Sequence, residues 1–426
     1  MEENYSQNGL LKFISYSFIG IFFFFIPITI GDKSTIPLDH IVTFFKTNLP
    51  FVSKIFAFLT IVAGAFSPFI KKEWNKNNTV LIFTLFKVLG FLMALVYLLG
   101  LGPAFLFEKD LLPFLFEKLV IPVGLIVPFG AIFLTFLIDF GLMEFFGTLL
   151  EKIIRPVWKT PGRSAIDAIA SFVGSYSIAL LITDKVYAEG KYTTKEAAII
   201  ATGFSTVSAT FMIIVAKTTG LMEMWNFFFW TTLLTTFVVT ALTVRIPPLS
   251  QMDDEGKEVS SEKFNFTKAI NSAVLVAENT KQLPELLKKN LLDGFRMSMS
   301  ILPTILSIGL LGLLLAKFTP VFDWLGYLFY PLVKLFALPD ALLVSKASAM
   351  EIAEMFLPSL AIKGSQLISR YVIAVTSISA ILFFSASIPT ILSTRIPLKV
   401  SHLIIIWFER TVFSLIIASV LGYLFL

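Results

Sequence analysis

Hydrophobic and polar residues follow one another along this chain in long blocks, and stretches of about 20 residues are nearly free of charge. A helix of that length crosses a hydrocarbon core of about 30 Å. The predicted membrane segments lie near residues 10–30, 50–70, 79–100, 119–140, 164–184, 195–217, 224–244, 298–317, 341–360, 366–391 and 401–425. The pattern therefore predicts an all-α polytopic membrane protein.

Charged residues interrupt three further apolar stretches at helical spacing. Residues 142–158, 321–337 and 37–47 carry these charges along otherwise apolar helices. Such helices are typical of the membrane interface. We predict three interfacial amphipathic helices.

The order of the blocks repeats once. In each half an amphipathic stretch is followed by a small-residue segment, a glycine (Gly190 or Gly364) and a Ser/Thr-rich segment. This order indicates an internal duplication. The predicted units are N-terminal helices in 1–118, a first repeat in 119–245, a polar linker in 246–297 and a second repeat in 298–426.

Basic residues predict the orientation. Lys71, Lys72 and Lys76 place the loop after the second segment in the cytoplasm, which puts the N-terminus there too. If 164–184 crosses the membrane fully, the linker is outside; if this segment is re-entrant, the linker is cytoplasmic and the repeats are inverted. We favour the re-entrant alternative, with turns near 174–177 and 347–351, because inverted repeats with broken or re-entrant helices are a transporter architecture.

Composition narrows the function. Hydrophobic residues make up 56% of the chain, charged residues 15%, cysteine is absent, and His40 and His402 are the only histidines. These counts, and the lack of HExxH and P-loop motifs, exclude disulfides, zincin chemistry and a P-loop nucleotidase. The net charge of +5 is attributed to loops at an anionic leaflet, so nucleic acid is not a predicted partner. We expect no cofactor, no metal and no enzymatic activity.

Two glutamates fall inside an apolar block. Glu351 and Glu354 are three residues apart and would share one face of a helix. A carboxylate at membrane depth costs about 2.5–3.5 kcal/mol on insertion scales, unless it faces a cavity or a partner. We predict that both bind a proton, a cation or the donor groups of a solute; the alternative is that they reach interfacial water.

Hydroxyl and aromatic residues supply the other candidates. Thr206, Ser208 and Ser379 lie in the two Ser/Thr-rich segments, which are predicted to be helical, and could bind solute or sodium or serve close helix packing. Tyr176 and Ser177 lie at the first predicted turn and could bind a flat ring or a cation.

Other polar residues in apolar segments have simpler interpretations. Asp167 follows Arg163 by four residues, which favours an ordinary helical ion pair. Tyr192 is expected to anchor at the interface. Glu409 and Arg410 are expected near the cytoplasmic surface, or alternatively as an intramembrane ion pair.

Six short strings of this sequence are family markers: 161–165 (PGRSA), 174–177 (GSYS), 189–193 (EGKYT), 201–208 (ATGFSTVS), 351–355 (EIAEM) and 36–39 (IPLD). Together they resemble the YjiH-like family of bacterial membrane proteins. This family carries the Gate domain named from nucleoside and ferrous-iron transporters. The resemblance implies a Gate-type inverted-repeat fold and nucleoside recognition, but carries over no substrate ligand.

From the residues and the resemblance we predict a secondary active transporter of a small polar, nucleoside-like solute, coupled to H⁺ or Na⁺. It would lie in the bacterial cytoplasmic membrane, in contact with the lipid bilayer, and could form a homo-oligomer. The alternatives are a transporter of a cationic or amino-acid-like solute, a non-transporting Gate-domain assembly partner, and a membrane-embedded enzyme that uses carboxylates.

Overall fold

The architecture is almost entirely helical. A computed structural model describes residues 6–26, 28–31, 33–75, 78–173, 176–254, 266–280 and 282–426. Within these ranges the only strands are β1 (Ile28–Ile30) and β2 (Lys33–Thr35), an antiparallel pair in which Ile28 lies opposite Thr35. Six described helices are long and apolar enough to cross a membrane. The predicted all-α polytopic fold is confirmed.

The N-terminal part consists of helices that precede the first repeat. They are α1 (Gln7–Phe25), α2 (Pro37–Asn48), α3 (Pro50–Ile70), α4 (Asn78–Leu99) and the short α5 (Leu112–Phe114). A π-helical turn, Leu115–Val120, leads directly into the next helix. Proline lies in the first turn of α2 and of α3 and favours a helix start there. A helix tolerates proline best in its first turn, where the missing backbone N–H would have no partner within the helix.

The first repeat places four helices of 10–13 residues between longer ones. Its elements are α6 (Ile121–Ile138), α7 (Leu142–Trp158), α8 (Ser164–Val173), α9 (Tyr176–Ala188), α10 (Thr194–Gly203), α11 (Ala209–Thr219) and α12 (Trp225–Thr243). The predicted segment 164–184 is thus two helices, and the predicted segment 195–217 is broken between Gly203 and Ala209. The helix α7 has the bounds that the sequence predicts.

The region between the repeats contains more helix than its polar composition suggests. It forms α13 (Phe266–Asn279), and α14 (Leu283–Phe318) begins well before residue 298, where the sequence predicts the next segment. The early turns of α14 bury Leu286, Asn290 and Gly294, which recur at helical spacing. With 36 residues, α14 is about 54 Å long and exceeds the hydrocarbon core.

The second repeat follows the same order. Its elements are α15 (Val321–Gly326), α16 (Tyr330–Leu335), α17 (Ala341–Met350), α18 (Leu357–Ala361), α19 (Leu367–Ser379), α20 (Ser387–Ser393) and α21 (Val400–Phe425). The single helix predicted over 321–337 is two short helices, and the segment predicted over 366–391 is broken between Ser379 and Ser387. The turn predicted at 347–351 begins only at Glu351, because α17 continues to Met350.

The two repeats run in opposite directions. Gly124 of α6 lies against Leu302 of α14, and Asn290 Nδ2 donates a hydrogen bond to Thr135 Oγ1 over 2.7 Å. As the residue number rises along α6, the number of its neighbour on α14 falls, so these helices are antiparallel. Each opens its repeat, and their opposite directions make the repeats inverted.

Candidate functional site

The first hairpin is formed by α8 and α9. Thr183 Oγ1 of α9 donates to Asp167 Oδ1 of α8 over 2.7 Å, so the second helix folds back along the first. The turn residues Gly174 and Ser175 lie outside the described residues. Ten residues of α8 span about 15 Å, roughly half of a hydrocarbon core. The hairpin is therefore too short to cross as a rod.

Asp167 holds this hairpin together. Its carboxylate is fully buried and also accepts a hydrogen bond from the Tyr192 hydroxyl over 2.6 Å. The ion pair predicted between Arg163 and Asp167 is wrong, because Arg163 Nη1 lies 3.6 Å from Glu144 Oε1 instead. Tyr192 is 1% exposed, so its predicted role as an interfacial anchor is also wrong. Buried carboxylates need such donors, and the two hydroxyls provide them.

The first repeat has an unwound segment at 204–208. The helix α10 ends at Gly203, whose carbonyl accepts a hydrogen bond from Thr240 Oγ1 over 2.9 Å. The Ser208 side chain then caps α11 by accepting from the Phe211 amide over 3.3 Å. Ser and Thr compete with the helix for backbone hydrogen bonds, which explains why this hydroxyl-rich run is not the helix that the sequence predicts.

The second hairpin, formed by α17 and α18, is joined to the unwound segment of its own repeat by backbone hydrogen bonds. The Phe384 amide donates to the Ile352 carbonyl over 2.6 Å, and the Ser385 amide donates to the Ala353 carbonyl over 2.9 Å. The segment 380–386 thus pairs with the turn that follows α17. Backbone groups that leave a helix at membrane depth must find partners within the protein, and here the two broken elements satisfy each other.

Glu351 and Glu354 do not share a helix face, because both lie in this turn. The Glu354 carboxylate accepts a hydrogen bond from the Leu357 amide over 3.1 Å, at the start of α18. The Glu351 carboxylate accepts one from the Thr411 hydroxyl of α21. The two carboxylates therefore bond to different helices, although both side chains are almost completely buried.

A cavity of about 210 Å³ lies where the broken elements of both repeats meet. The predicted residues Tyr176, Ser177, Ser208 and Glu354 all line it. The hydroxyls of Tyr176 and Ser177 are buried without a hydrogen-bond partner among the described residues. Unpaired buried hydroxyls cost about 1–3 kcal/mol each, so the cavity favours a polar occupant.

The cavity also has an aromatic wall and charged residues. The rings of Tyr176 and Phe383 approach edge to face, with centroids 5.9 Å apart. Asp39 and Lys118 line the cavity on the side of the N-terminal helices. No cluster of three His, Asp or Glu side chains suited to a metal ion occurs within the ranges the structure describes. Aromatic, hydroxyl and carboxylate groups can together bind a small polar molecule that contains a ring.

Three predicted site residues are not among those that line the cavity. Glu351 packs against α21, as described above. Ser379 Oγ lies 3.0 Å from Thr236 Oγ1, and the Thr206 carbonyl accepts a hydrogen bond from the Ser171 hydroxyl. Glu351 and Thr206 thus lie within the broken elements and Ser379 at the end of α19, but none of the three lines the cavity.

Sequence reasoning missed the central position of Arg410. This residue of α21 is fully buried, and its Nη2 atom donates to the Ser379 carbonyl, the last of α19, over 2.7 Å. Its Nη1 atom donates over 3.0 Å to Thr240 Oγ1, which itself bonds to the Gly203 carbonyl at the end of α10. One guanidinium thus supports the C-terminal ends of two half-helices, where the helix dipole favours positive charge. A lone arginine within a 26-residue apolar helix was the available signal.

Comparisons with known proteins place this fold in a family. Residues 120–222 match the family model Gate, described as nucleoside recognition. The chain is 32% identical over 455 aligned positions to the uncharacterized protein BpOF4_10220 of Alkalihalophilus pseudofirmus, covering 100% of this chain and 96% of that protein. A solved structure of a CNTnw double variant in an outward-facing state is 14% identical, covers 96% of this chain and 99% of that chain, and has a TM-score of 0.49.

The Gate domain that the sequence resemblance implies is confirmed by the family-model match. The relative in A. pseudofirmus aligns along nearly its whole length, so the relationship covers both repeats and the N-terminal helices. The chain belongs to the same family as this relative, and it carries the Gate match within its first repeat.

Proposed function

We propose that this protein is a secondary active transporter of a small polar solute of the nucleoside type, driven by H⁺ or Na⁺. One observation supports the proposal above all: two hairpins and two unwound segments, taken from inverted repeats, contribute to a single cavity. Inverted repeats that meet at a central site support alternating access, because one repeat can move against the other around it.

The lining groups suit such a solute. Tyr176 and Phe383 offer aromatic surfaces to a flat base, and Ser177 and Ser208 offer hydroxyls to a sugar. Glu354 offers a carboxylate to donor groups of the solute. The Gate model's description as nucleoside recognition supports the same class.

The size of the cavity limits the alternatives. About 210 Å³ lies below the roughly 300–1,000 Å³ of typical drug-sized ligand pockets, which favours a small solute over a lipid or a peptide. A cationic or amino-acid-like solute is the second candidate, because Glu354 and Asp39 both line the cavity.

Uptake into proteoliposomes tests the proposal. Full-length protein reconstituted alone should accumulate radiolabelled uridine or adenosine under an imposed H⁺ or Na⁺ gradient. Glu354→Gln should lower that uptake about tenfold, since an amide cannot supply the negative charge. The matched control is Glu223→Gln, because Glu223 is exposed in a short 3₁₀ turn between α11 and α12 and does not line the cavity.

Two results would contradict the proposal. Reconstituted protein that moves neither nucleosides, amino acids nor polyamines under either gradient would point to an assembly partner instead. Uptake that Glu354→Gln leaves unchanged would separate transport from this cavity.

A further inference from the structure

A second hollow lies away from the candidate solute site and shares no lining residue with it. This basic groove, of about 660 Å³, runs between α3, α4 and α14 and reaches residues 389–398 of the second repeat. It lies where α3 ends and α4 begins, on the side of the bundle where α14 also begins. Three basic residues line it, Lys71, Lys87 and Arg296.

Lys87 is the least expected of these residues, because it lies within a membrane-spanning helix. It follows the start of α4 by nine residues, or about 13 Å along the helix axis. Its Nζ atom donates to Ser300 Oγ of α14 over 3.2 Å, and no described carboxylate forms an ion pair with it. A charged amine at this depth is costly unless an anion or water is near. The position therefore favours an anionic partner.

The rest of the lining has a net positive charge and an apolar floor. Among the described residues that line the groove, Glu73 is the one acid beside three bases. Arg296 already lies 3.2 Å from Asp293 and is highly exposed, so Lys71 and Lys87 supply the stronger attraction. Phe83 and Phe295 continue the groove as apolar surface. An occupant with a negative end and an apolar end matches this arrangement.

An anionic phospholipid of the surrounding bilayer has both a negative end and an apolar end. Leu85 of α4 is 61% exposed and Leu292 of α14 is 46% exposed, so acyl chains can reach the helices on both sides of the groove. The basic loops predicted at this end mark it as cytoplasmic, and the cytoplasmic leaflet is rich in anionic lipids. Basic pockets between membrane helices on that side bind anionic head groups.

We propose that the basic groove binds one anionic phospholipid, with its phosphate at Lys87 and Lys71 and an acyl chain along Phe83 and Phe295. The site is independent of the transported solute. Because the groove also contacts Pro389 and Leu392 of α20, the lipid would touch a broken helix of the second repeat.

Native mass spectrometry of the full-length protein tests this site. Protein in neutral detergent is titrated with phosphatidylglycerol or with phosphatidylcholine of the same acyl chains. One phosphatidylglycerol should be retained in preference to phosphatidylcholine, and Lys87→Gln should weaken that binding about fivefold, the effect of roughly one basic residue near an anionic surface. Lys87→Arg, which keeps the charge, should restore binding.

The controls separate the site from general surface charge. Lys12→Gln removes an exposed lysine from α1, outside the groove, and should leave binding unchanged. Lys71 is exposed at the end of α3, so Lys71→Gln tests the site even if Lys87→Gln impairs folding. This variant should also weaken binding of phosphatidylglycerol. Equal retention of both lipids, unchanged binding by Lys87→Gln and Lys71→Gln, or equal occupancy by inorganic phosphate alone would each overturn the proposal.

Discussion

The two hairpins share a topology but are held by different chemistry. In the first, a side chain joins the arms, since the Asp167 carboxylate accepts hydrogen bonds from Thr183 and Tyr192. In the second, backbone amides of the unwound segment bond to the turn, at Ile352 and Ala353. The outgoing arm is 13 residues in the first hairpin and five in the second.

This difference determines where a carboxylate is available for function. In the first hairpin, both carboxylate oxygens of Asp167 already accept hydrogen bonds from hydroxyls of the same region. In the second hairpin, backbone hydrogen bonds hold the turn instead of a carboxylate. The two acids of that turn have other contacts: Glu354 lines the cavity and Glu351 contacts α21. We infer that Asp167 of the first hairpin is structural, and that the second hairpin supplies the carboxylate that our proposed function needs at the cavity.

The largest expected effect follows from breaking the first hairpin. Asp167→Ala leaves the buried Tyr192 hydroxyl without its acceptor, whereas Thr183 can still donate to the Ala179 carbonyl over 2.9 Å, so the free energy of unfolding should fall by about 1.5–3 kcal/mol. Thermal melting in detergent, followed by tryptophan fluorescence, measures this. Asp167→Asn keeps an acceptor for Thr183 and should melt between wild type and Asp167→Ala. If wild type, Asp167→Ala and Asp167→Asn have the same melting temperature, Asp167 does not hold the hairpin.

Glu351→Gln should have a smaller effect on stability and a specific effect on coupling. Its amide oxygen can still accept from Thr411, so melting should stay close to that of wild type. If Glu351 carries the coupling proton, the stimulation of uptake by an imposed pH gradient should fall about tenfold. Glu223→Gln is the control. A variant with unchanged pH dependence would remove Glu351 from the coupling mechanism.

The smallest effect is expected at the cavity wall contributed by the first hairpin. Tyr176→Phe keeps the ring against Phe383 but removes the unpaired hydroxyl, so solute affinity should weaken about fivefold, as for one neutral hydrogen bond of about 1 kcal/mol. Titration of solute in a thermal-shift assay measures this affinity. The control Tyr423→Phe removes a hydroxyl that bonds to the Ala337 carbonyl instead. Equal affinities would exclude Tyr176 as a ligand.

Much of the fold could be predicted because long helices appear in the sequence as apolar or amphipathic stretches of the right length. The predicted segment 50–70 is α3, and the predicted amphipathic stretch 142–158 is α7, with the same bounds. The order of elements also indicated an internal duplication, and the basic residues favoured an inverted one, which the antiparallel α6 and α14 display. These features depend on local hydrophobic pattern and length.

The candidate site was harder to predict, since its geometry comes from breaks in helices. Of the predicted residues, Tyr176, Ser177, Ser208 and Glu354 line the cavity, whereas Glu351, Ser379 and Thr206 do not. Assigning 351–354 to a helix was the error that put both glutamates on one face. Whether these residues bind solute stays a prediction.

Apolar length and the spacing of polar residues determined from the sequence alone that this chain is a multi-pass helical protein with a repeated architecture. Only the tertiary structure decided where the helices break, because the unwound backbone at Phe384 and Ser385 is satisfied by partners some 30 residues away at Ile352 and Ala353. The same holds for Arg410, whose guanidinium reaches carbonyls of other helices. Hydrogen bonds between distant segments leave no periodic trace in a sequence, and they place the groups that form the cavity.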